Sequence, residues 1–395
     1  MFKRAYSTAA SQLLKTPLYD LHVSLGGDMV EFAGYAMPVL YKGQSHIESH
    51  LWTRSHAGLF DVSHMLQQKI NGDDVIPFLE KVTPSDLKAL GQWSSQLSVL
   101  LNENGGIVDD TMVTKHEDDK HFYIVTNAGT RAKDLAFFKE MSKGYDVNFE
   151  HVDTTLLALQ GPSASSVLQK FTNTDLSKIY FGNATYIKIP SFNNAELHLA
   201  RGGYTGEDGF EISIPNNVAV ELTHALLEDP ELKPIGLAAR DSLRLEAGMC
   251  LYGHDLNDNT TPVEASLAWV VSKSRRTPDA TFNGASKILA QLADRKLVKQ
   301  QRIGFQMKGP AAREGCEIFD FEDKSKKIGT VTSGSASPSL EGRVNIGQAY
   351  IDRGYHKSGT KVLINIRNKF REAVVAKQPF IQPKLLQKAI ILNNV

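Results

Sequence analysis

The chain has 395 residues, more than one hydrophobic core usually supports, so two or three domains are expected. Its 44 lysine and arginine residues equal its 44 aspartate and glutamate residues, which removes any global electrostatic reason to bind nucleic acid or an anionic membrane. Two cysteines, Cys250 and Cys316, are too few for a disulfide framework or a thiolate metal site, and no apolar run is long enough to span a bilayer.

The first fifteen residues, MFKRAYSTAASQLLK, contain Lys3, Arg4, Lys15 and several hydroxyl residues, but no acidic residue. This composition is typical of a mitochondrial transit peptide, and the apolar stretch is too short and broken for a secretory signal. A frayed basic terminus is the alternative interpretation. We expect residues 1–15 to be a transit peptide and the mature protein to act in the mitochondrial matrix.

Between residues 16 and 276, short strands and helices alternate without a fixed repeat. The segment HIESHLWTRSHAG predicts a helix that ends at Gly58, and DDVIPFLEKV predicts a second helix. The stretch QLSVLLNENGGIVDDTMVTKHEDDKHFYIVTNAG predicts an antiparallel meander of three strands, and NAGTRAKDLAFFKEM begins a helix with Asn127 as a candidate N-cap. Strands that meet in tight turns favour an α+β fold over a doubly wound parallel sheet.

Beyond SKSRRTPDATFNGASKIL the chain consists of short alternating runs interrupted by glycine, serine and proline. This pattern predicts a small closed or nearly closed β-barrel. We place the boundary between Arg276 and Phe282. The first region then covers residues 16–276, and the barrel domain covers residues 282–384.

The segment GGIVDDTMV, residues 105–113, places two carboxylates in an otherwise apolar strand. Successive side chains of a strand point to opposite faces, so at least one of Asp109 and Asp110 faces inward. A buried carboxylate needs a partner or a function, because desolvating its charge costs roughly several kcal/mol.

The segment RGGYTGEDGFEISIP, residues 201–215, combines four glycines with Tyr204 and with Glu211 on a predicted strand. A carboxylate beside an aromatic ring suits a flat heterocycle, whose adjacent N–H groups would donate to the carboxylate while the rings stack. A glycine-rich hairpin with an exposed glutamate is an equally good interpretation of the pattern.

The segment GLAARDSLRLEAGMCLYG, residues 236–253, predicts a helix that ends near Gly248. Arg240 and Arg244 lie on one face of this helix, where like charges repel unless an anion lies between them. Asp241, Glu246 or a carboxylated ligand could supply that anion.

Several other sites are disfavoured by the sequence. No GxGxxG or GxxxxGK[ST] motif indicates a nucleotide site. His46 and His50 have helical ligand spacing but no evident third ligand, so we expect no metal there. The segment FDVSHM is more simply a core strand than a catalytic triad. The segment SKSRR is most simply a solvated loop, and secondarily a docking patch for an acidic partner.

Five segments then establish a family resemblance: FDVSHM, GGIVDDTMV, GGYTGEDGFEISIP, GLAARDSLRLEAGMCLYG and TSGSASPSL. In this order they resemble the T-proteins of glycine cleavage systems, the aminomethyltransferases, and the resemblance runs from about Thr16 to Phe380. It implies a three-domain cloverleaf in which two α+β domains and a C-terminal β-barrel surround a central folate cavity.

The resemblance also implies an activity and its partners. T-proteins take the aminomethyl group from the dihydrolipoyl arm of H-protein, release ammonia and pass the one-carbon unit to tetrahydrofolate as the 5,10-methylene form. Tetrahydrofolate would be the co-substrate, and the lipoyl group would come from H-protein. The P-protein and L-protein of the glycine cleavage system would be indirect partners.

Residue by residue, the first Asp of the pair, Asp109, matches the catalytic carboxylate and would face the folate cavity, with Asp110 on the other side of the strand. Glu211 matches the pterin-binding carboxylate. Tyr204, Asn127 and Arg240 match further positions that line the folate site, although Asn127 could be only a helix cap.

The C-terminal tail of this chain departs from the family pattern. The family commonly ends with PFVPT and paired tyrosines, one of which contacts folate, whereas this chain continues PFIQPKLLQKAIILNNV without a tyrosine.

The sequence also disfavours two related kinds of protein. The cysteine motif of the folate-binding iron–sulfur assembly relatives is absent, and so is the FAD fingerprint of the demethylating dehydrogenase fusions. A structural or docking module gives no reason for a carboxylate to face a cavity.

Overall fold

The computed structural model of the protein describes residues 13–388. Its helices are α1 (Tyr19–Ser24), α2 (His46–Ser55), α3 (Val75–Val82), α4 (Arg131–Met141), α5 (Ala164–Gln169), α6 (Asn216–Leu227), α7 (Leu237–Glu246) and α8 (Ala285–Ala293). Its strands are β1 (Gly27–Phe32), β2 (Tyr35–Tyr41), β3 (Ala57–Asp61), β4 (Leu66–Asn71), β5 (Ser94–Leu101), β6 (Ile107–Lys115), β7 (His121–Thr126), β8 (Asn148–His151), β9 (Thr154–Gln160), β10 (Ala184–Ile189), β11 (Ala195–Arg201), β12 (Gly209–Pro215), β13 (Leu232–Pro234), β14 (Gln300–Met307), β15 (Glu317–Asp320), β16 (Lys327–Ala336), β17 (Asn345–Asp352), β18 (Lys361–Ile366) and β19 (Lys369–Ala376).

The predicted meander forms most of a five-stranded antiparallel sheet with the order β5-β6-β7-β4-β8. One face of this sheet packs against α3 and α4 through a buried apolar cluster that includes Leu100, Val113, Ile124, Phe78 and Phe138. The opposite face is therefore free to meet the rest of the molecule.

A second sheet has the order β10-β11-β12-β9-β3-β13, in which only the short β13 is parallel to its neighbour. Side chains from β3, β7, β9 and α7 form one apolar cluster, which includes Phe60, Val125, Ala158 and Leu243, with Met112 of β6 packed against it. The two sheets and α7 thus meet in the middle of the molecule, where the glycine-rich segment before β12 and the DD pair of β6 converge.

The C-terminal strands close into a six-stranded barrel with the order β14-β17-β16-β15-β18-β19. Its first strand begins at Gln300. The preceding helix α8 packs instead through Ile288 against Val99 of β5 and Ile107 of β6. Residues 282–299 therefore connect the sheets to the barrel, although the sequence pattern grouped them with the barrel.

The chain after the barrel returns to the glycine-rich segment. The Phe380 N–H donates to the Glu246 carbonyl, the Lys384 N–H donates to the Gly206 carbonyl, and the Phe181 N–H donates to the Leu386 carbonyl. We call residues 380–386 the C-terminal strap. Through Lys384 it makes a backbone contact to the segment that carries Tyr204.

The α+β class and the C-terminal barrel are confirmed. Helix α2 ends at Ser55, before the predicted Gly58, because β3 already begins at Ala57. Most of the predicted transit peptide lies outside the described residues, although Leu14 pairs with Tyr35 and so belongs to the fold. Among residues 13–388, no helix has the length and apolar character needed to cross a membrane.

Candidate functional site

The first aspartate of the DD pair is completely buried on the α4 side of β6. The Asp109 carboxylate accepts hydrogen bonds from the Asn127 backbone N–H at 2.9 Å, from Asn127 Nδ2 at 2.9 Å and from Thr130 Oγ1 at 2.8 Å. Three donors stabilise an ionised carboxylate. Asp109 is thus held firmly by the chain itself.

The second aspartate faces the middle of the molecule. Asp110 alternates with Asp109, so it shares the strand face of Met112 and Thr114. Those two side chains line a narrow cavity together with Glu211 of β12. The sequence placed Asp109 toward the cavity and Asp110 on the other side, whereas in the structure Asp110 is on the cavity side. Asp109 contacts Thr130 and, like Val113 of the same strand, lies toward α3 and α4.

Asn127 connects the two aspartates. Its Nδ2 lies 2.9 Å from Asp109 Oδ1 and 2.9 Å from Asp110 Oδ1, so the two N–H bonds of one amide serve both carboxylates. Its side chain makes no capping hydrogen bond to the short 3-10 turn that begins at Ala128. Asn127 occupies the predicted N-cap position, but its side-chain amide donates to Asp109 and Asp110 and does not cap the turn.

The paired charges favour a proton on Asp110. Burial, and secondly the charge of neighbouring Asp109, raise the pKa of Asp110 to about 7. Burial also raises the pKa of Asp109, although the hydrogen bonds from Asn127 and Thr130 oppose that effect. A carboxyl group with a pKa near neutrality can accept and return a proton under physiological conditions.

Tyr204 and Arg240 pack against each other on the same side. The Arg240 guanidinium lies 4.7 Å from the centre of the Tyr204 ring, and the Tyr204 hydroxyl donates to the Cys250 carbonyl. Burial raises the pKa of Tyr204, and the charge of Asp110 adds to this effect, so the ring lies within electrostatic reach of the DD pair. The four glycines of residues 201–209 allow this approach, since a Cβ at Gly203 would lie 1.9 Å from Gln160 Oε1.

Glu211 and Arg240 are two charged side chains without protein hydrogen bonds. The Glu211 carboxylate makes no hydrogen bond with residues 13–388, and buried Arg240 Nη1 has no partner in the same range. Burial raises the pKa of Glu211, and the charge of Arg240 lowers it. Buried polar groups are normally satisfied, so the buried Arg240 Nη1 near the Glu211 carboxylate is suited to a polar ligand. We call Asp110, Tyr204, Glu211 and Arg240 the central cluster.

The second arginine of α7 is satisfied internally. Arg244 Nη1 lies 2.8 Å from Asp255 Oδ2, and Arg244 Nε lies 2.9 Å from Asp241 Oδ1. Its Nη2 donates to Ser333 Oγ of the barrel at 2.9 Å. Of the anions that the sequence allowed, Asp241 pairs with Arg244, Glu246 does not, and Arg240 is left for a ligand.

The histidines of α2 belong to a structural network. His50 contacts Ser242 Oγ at 2.7 Å and Glu246 Oε2 at 3.0 Å, and His46 contacts the same Ser242 hydroxyl at 2.8 Å. No group of three or more candidate ligands suited to a metal ion occurs within residues 13–388.

The SKSRR segment also has internal contacts. Arg275 pairs with Glu80 Oε2 of α3 at 2.6 Å, and Arg276 Nε donates to the Val271 carbonyl at 3.0 Å.

The sequence analysis missed Thr130 and Asp134, which approach Asp109 from the far side of β6. Thr130 and Asp134 lie three and seven residues after Asn127 and so share one face of a helix. This spacing is the sequence signal that could have identified them as neighbours of the site.

Two family models match the chain. The GCVT N-terminal domain matches residues 18–275, and the glycine cleavage T-protein C-terminal barrel domain matches residues 300–382. The mitochondrial aminomethyltransferase of Saccharomyces cerevisiae is 54% identical to this chain over 395 residues, with 96% of each sequence covered. The mitochondrial aminomethyltransferase of Pisum sativum is 48% identical, with 97% of this chain and 92% of the relative covered.

A solved structure shares the fold. The crystal structure of the glycine cleavage system aminomethyltransferase T from Bartonella henselae superimposes with a TM-score of 0.87 at 36% identity, covering 95% of this chain and 100% of that chain. The mitochondrial names of the curated relatives confirm the expected mitochondrial localisation. From its two matched domains, its identity with the yeast relative and this superposition, the chain belongs to the glycine cleavage T-protein family.

Proposed function

We propose that this chain is the aminomethyltransferase of a glycine cleavage system. It takes the aminomethyl group from the dihydrolipoyl arm of lipoylated H-protein and transfers the one-carbon unit to tetrahydrofolate with release of ammonia. The names of its full-length relatives support the reaction class. The observation that carries the folate assignment is that two charged side chains, Glu211 and Arg240, make no side-chain hydrogen bond within residues 13–388.

The central cluster fits a reduced pterin. The pyrimidine edge of a pterin presents adjacent N–H donors, which a carboxylate such as Glu211 accepts in two charge-assisted hydrogen bonds. Tyr204 and Arg240 offer planar groups for stacking, and the guanidinium remains free to pair with an anionic part of the ligand. Tetrahydrofolate supplies the two nitrogens, N5 and N10, that accept the one-carbon unit.

Asp110 is the carboxylate that we assign to the chemistry, in place of Asp109. Asp110 lies on the face of β6 that lines the cavity, and Asn127 fixes its orientation. With its pKa raised to about 7, it can take a proton from the attacking nitrogen. In its ionised form it also stabilises positive charge that develops on the one-carbon unit as ammonia leaves. Asp109 is a positioning residue in this scheme, because its three hydrogen bonds come from the protein.

The folate assignment is tested with Glu211→Gln. We expect tetrahydrofolate to raise the midpoint of thermal unfolding of the wild type, since a ligand that binds only the native state stabilises it. Glu211→Gln should lose this stabilisation. A carboxylate accepts one hydrogen bond on each of its two oxygens, whereas the glutamine amide has only one oxygen to accept from the adjacent donors. The matched control is Glu196→Gln on the neighbouring strand β11, where the side chain is exposed.

The transfer assignment is tested with lipoylated H-protein that carries the aminomethyl group. Wild-type protein and Glu196→Gln should produce methylene-tetrahydrofolate and ammonia, and Asp110→Asn should not. A wild-type rate in Asp110→Asn would contradict the assignment of Asp110. Absence of any transfer by the wild type would contradict the proposed function as a whole.

A further inference from the structure

One buried carboxylate next to the site is not used by the mechanism described above. Asp134 lies on α4 with none of its surface exposed, and neither of its oxygens has a hydrogen-bond partner between residues 13 and 388. Thr126 Oγ1 is also buried there without a partner. An ionised carboxylate in this position would be desolvated without compensation, which is costly.

Asp109 is an acidic neighbour of Asp134, because Thr130, one helical turn before Asp134, contacts Asp109 and the two carboxyl groups influence each other. The two carboxyl groups differ in their hydrogen bonds. Asp109 accepts from the Asn127 backbone, the Asn127 side chain and Thr130 Oγ1, so donors stabilise its charge. Asp134 has no comparable set of donors. Two facing carboxylates repel when both are ionised, whereas one proton between them forms a hydrogen bond. The proton therefore belongs on Asp134.

We propose that Asp134 is a positioning residue that carries a proton at neutral pH and donates it in a hydrogen bond to Asp109. The inference rests on the proposed function, because it extends the chain of contacts from Asp110 through Asn127 and Asp109. Asp109, held from both sides, fixes the Asn127 amide, and the amide fixes the carboxylate that faces the cavity. Asp134 thus controls the orientation and the proton affinity of Asp110 without contacting substrate.

The charged surroundings of Asp134 agree with a neutral acid. Burial, and secondly the charge of Asp109, raise the pKa of Asp134 to about 8. Tyr252, from the loop after α7, has a pKa that is raised by burial first, then by Asp258, and more weakly by the charges of Asp109 and Asp134. Its hydroxyl accepts from Lys133 Nζ at 2.6 Å and donates to the Ile107 carbonyl at 3.0 Å. Asp258 shares Lys133, with 3.0 Å between Nζ and Oδ2. Loss of the Asp134 proton adds a negative charge beside Asp109 and raises the proton affinity of Asp110.

The first test uses infrared spectroscopy, which reports protonated carboxyl groups directly. The wild type at pH 7 should show a protonated-carboxyl C=O band with a component that disappears as the pH rises through about 8. Asp134→Asn should lack that component, and Glu140→Gln, at an exposed position of α4, should retain it. If the wild type has no protonated-carboxyl band at pH 7, or if Asp134→Asn keeps the component that titrates near 8, the inference is overturned.

The second test uses the pH dependence of transfer. Asp134→Asn keeps a neutral donor toward Asp109, so its kcat at pH 7 should stay near the wild-type value while the alkaline decline moves to higher pH. Asp134→Ala removes the donor and should lower kcat about tenfold, the size expected for a hydrogen bond to a charged group. An unchanged alkaline decline in Asp134→Asn refutes the positioning role. If the wild type transfers nothing, the proposed function fails, while the infrared test still decides the state of Asp134.

Discussion

Replacing Asp110 with asparagine should stabilise the folded protein above neutral pH while it abolishes transfer. The folded protein holds the Asp110 proton more tightly than the unfolded chain does, because the pKa rises from 3.8 to about 7. Between these two values the folded state binds more protons, so the free energy of unfolding falls as the pH rises. Asparagine cannot ionise, and its side-chain oxygen can still accept the hydrogen bond from Asn127.

The magnitude follows from the size of the displacement. Each pH unit between 3.8 and about 7 removes at most about 1.4 kcal/mol, which gives an upper limit of about 4 kcal/mol. Asp110 is only half-buried, and solvent screening reduces this to about 2 kcal/mol. For a chain of this length, about 2 kcal/mol corresponds to roughly 2 °C in the unfolding midpoint.

The assay is urea unfolding of the wild type and Asp110→Asn at several pH values from 5 to 8. The free energy of unfolding of the wild type should decline with rising pH, and that of Asp110→Asn should decline less, so the variant is the more stable protein at pH 8. Asp28→Asn, at an exposed position of β1, should follow the wild type. Equal slopes for the wild type and Asp110→Asn, or a variant that is less stable at pH 8, would refute the reasoning.

Two further predictions concern the same region. Arg240→Met and Arg244→Met form a matched pair on α7. Arg244→Met should cost about 3–5 kcal/mol in urea unfolding, because it leaves Asp255 buried and unpaired. Arg240→Met should keep the stability of the wild type but lose the thermal stabilisation by tetrahydrofolate. Similar losses of stability in both variants would contradict the assignment of Arg240 to the ligand. Ending the chain after Pro383 removes the Lys384 and Leu386 contacts to the glycine-rich region, so the KM for tetrahydrofolate should rise several-fold with little change in barrel circular dichroism. An unchanged KM would show that the strap does not support Tyr204.

The sequence predicted many of the helices and strands, but it did not predict which of their faces are covered by other elements. The alternation of β6 correctly placed Asp109 and Asp110 on opposite sides, since alternation is a local property of a strand. Which side is covered by α3 and α4 depends on packing between segments far apart in sequence, so the sequence could not determine which aspartate faces the cavity. Both aspartates share Asn127, so neither position can be understood from its strand alone.

The arginines of α7 illustrate the same difference. The spacing of Arg240 and Arg244 predicted an anion beside them, and the structure provides anions for Arg244. The anion that satisfies Arg244 is mainly Asp255, brought back by a turn, and Ser333 joins it from the barrel. Contacts across such long separations arise only when the two sheets and the barrel have packed together. Only after Arg244 is accounted for does Arg240 emerge as the side chain without a protein partner.

The C-terminal strap also determines when the folate region can be completed. Residues 380–386 are synthesised after both sheets and the barrel, yet they make backbone hydrogen bonds with Gly206, next to Tyr204, and with Phe181. A nascent or partly imported chain can form both sheets before it has the means to hold that glycine-rich segment in place. The order of the chain therefore makes the ordering of this segment depend on residues that follow the barrel, and an insertion between the barrel and the strap would separate the strap from its contacts.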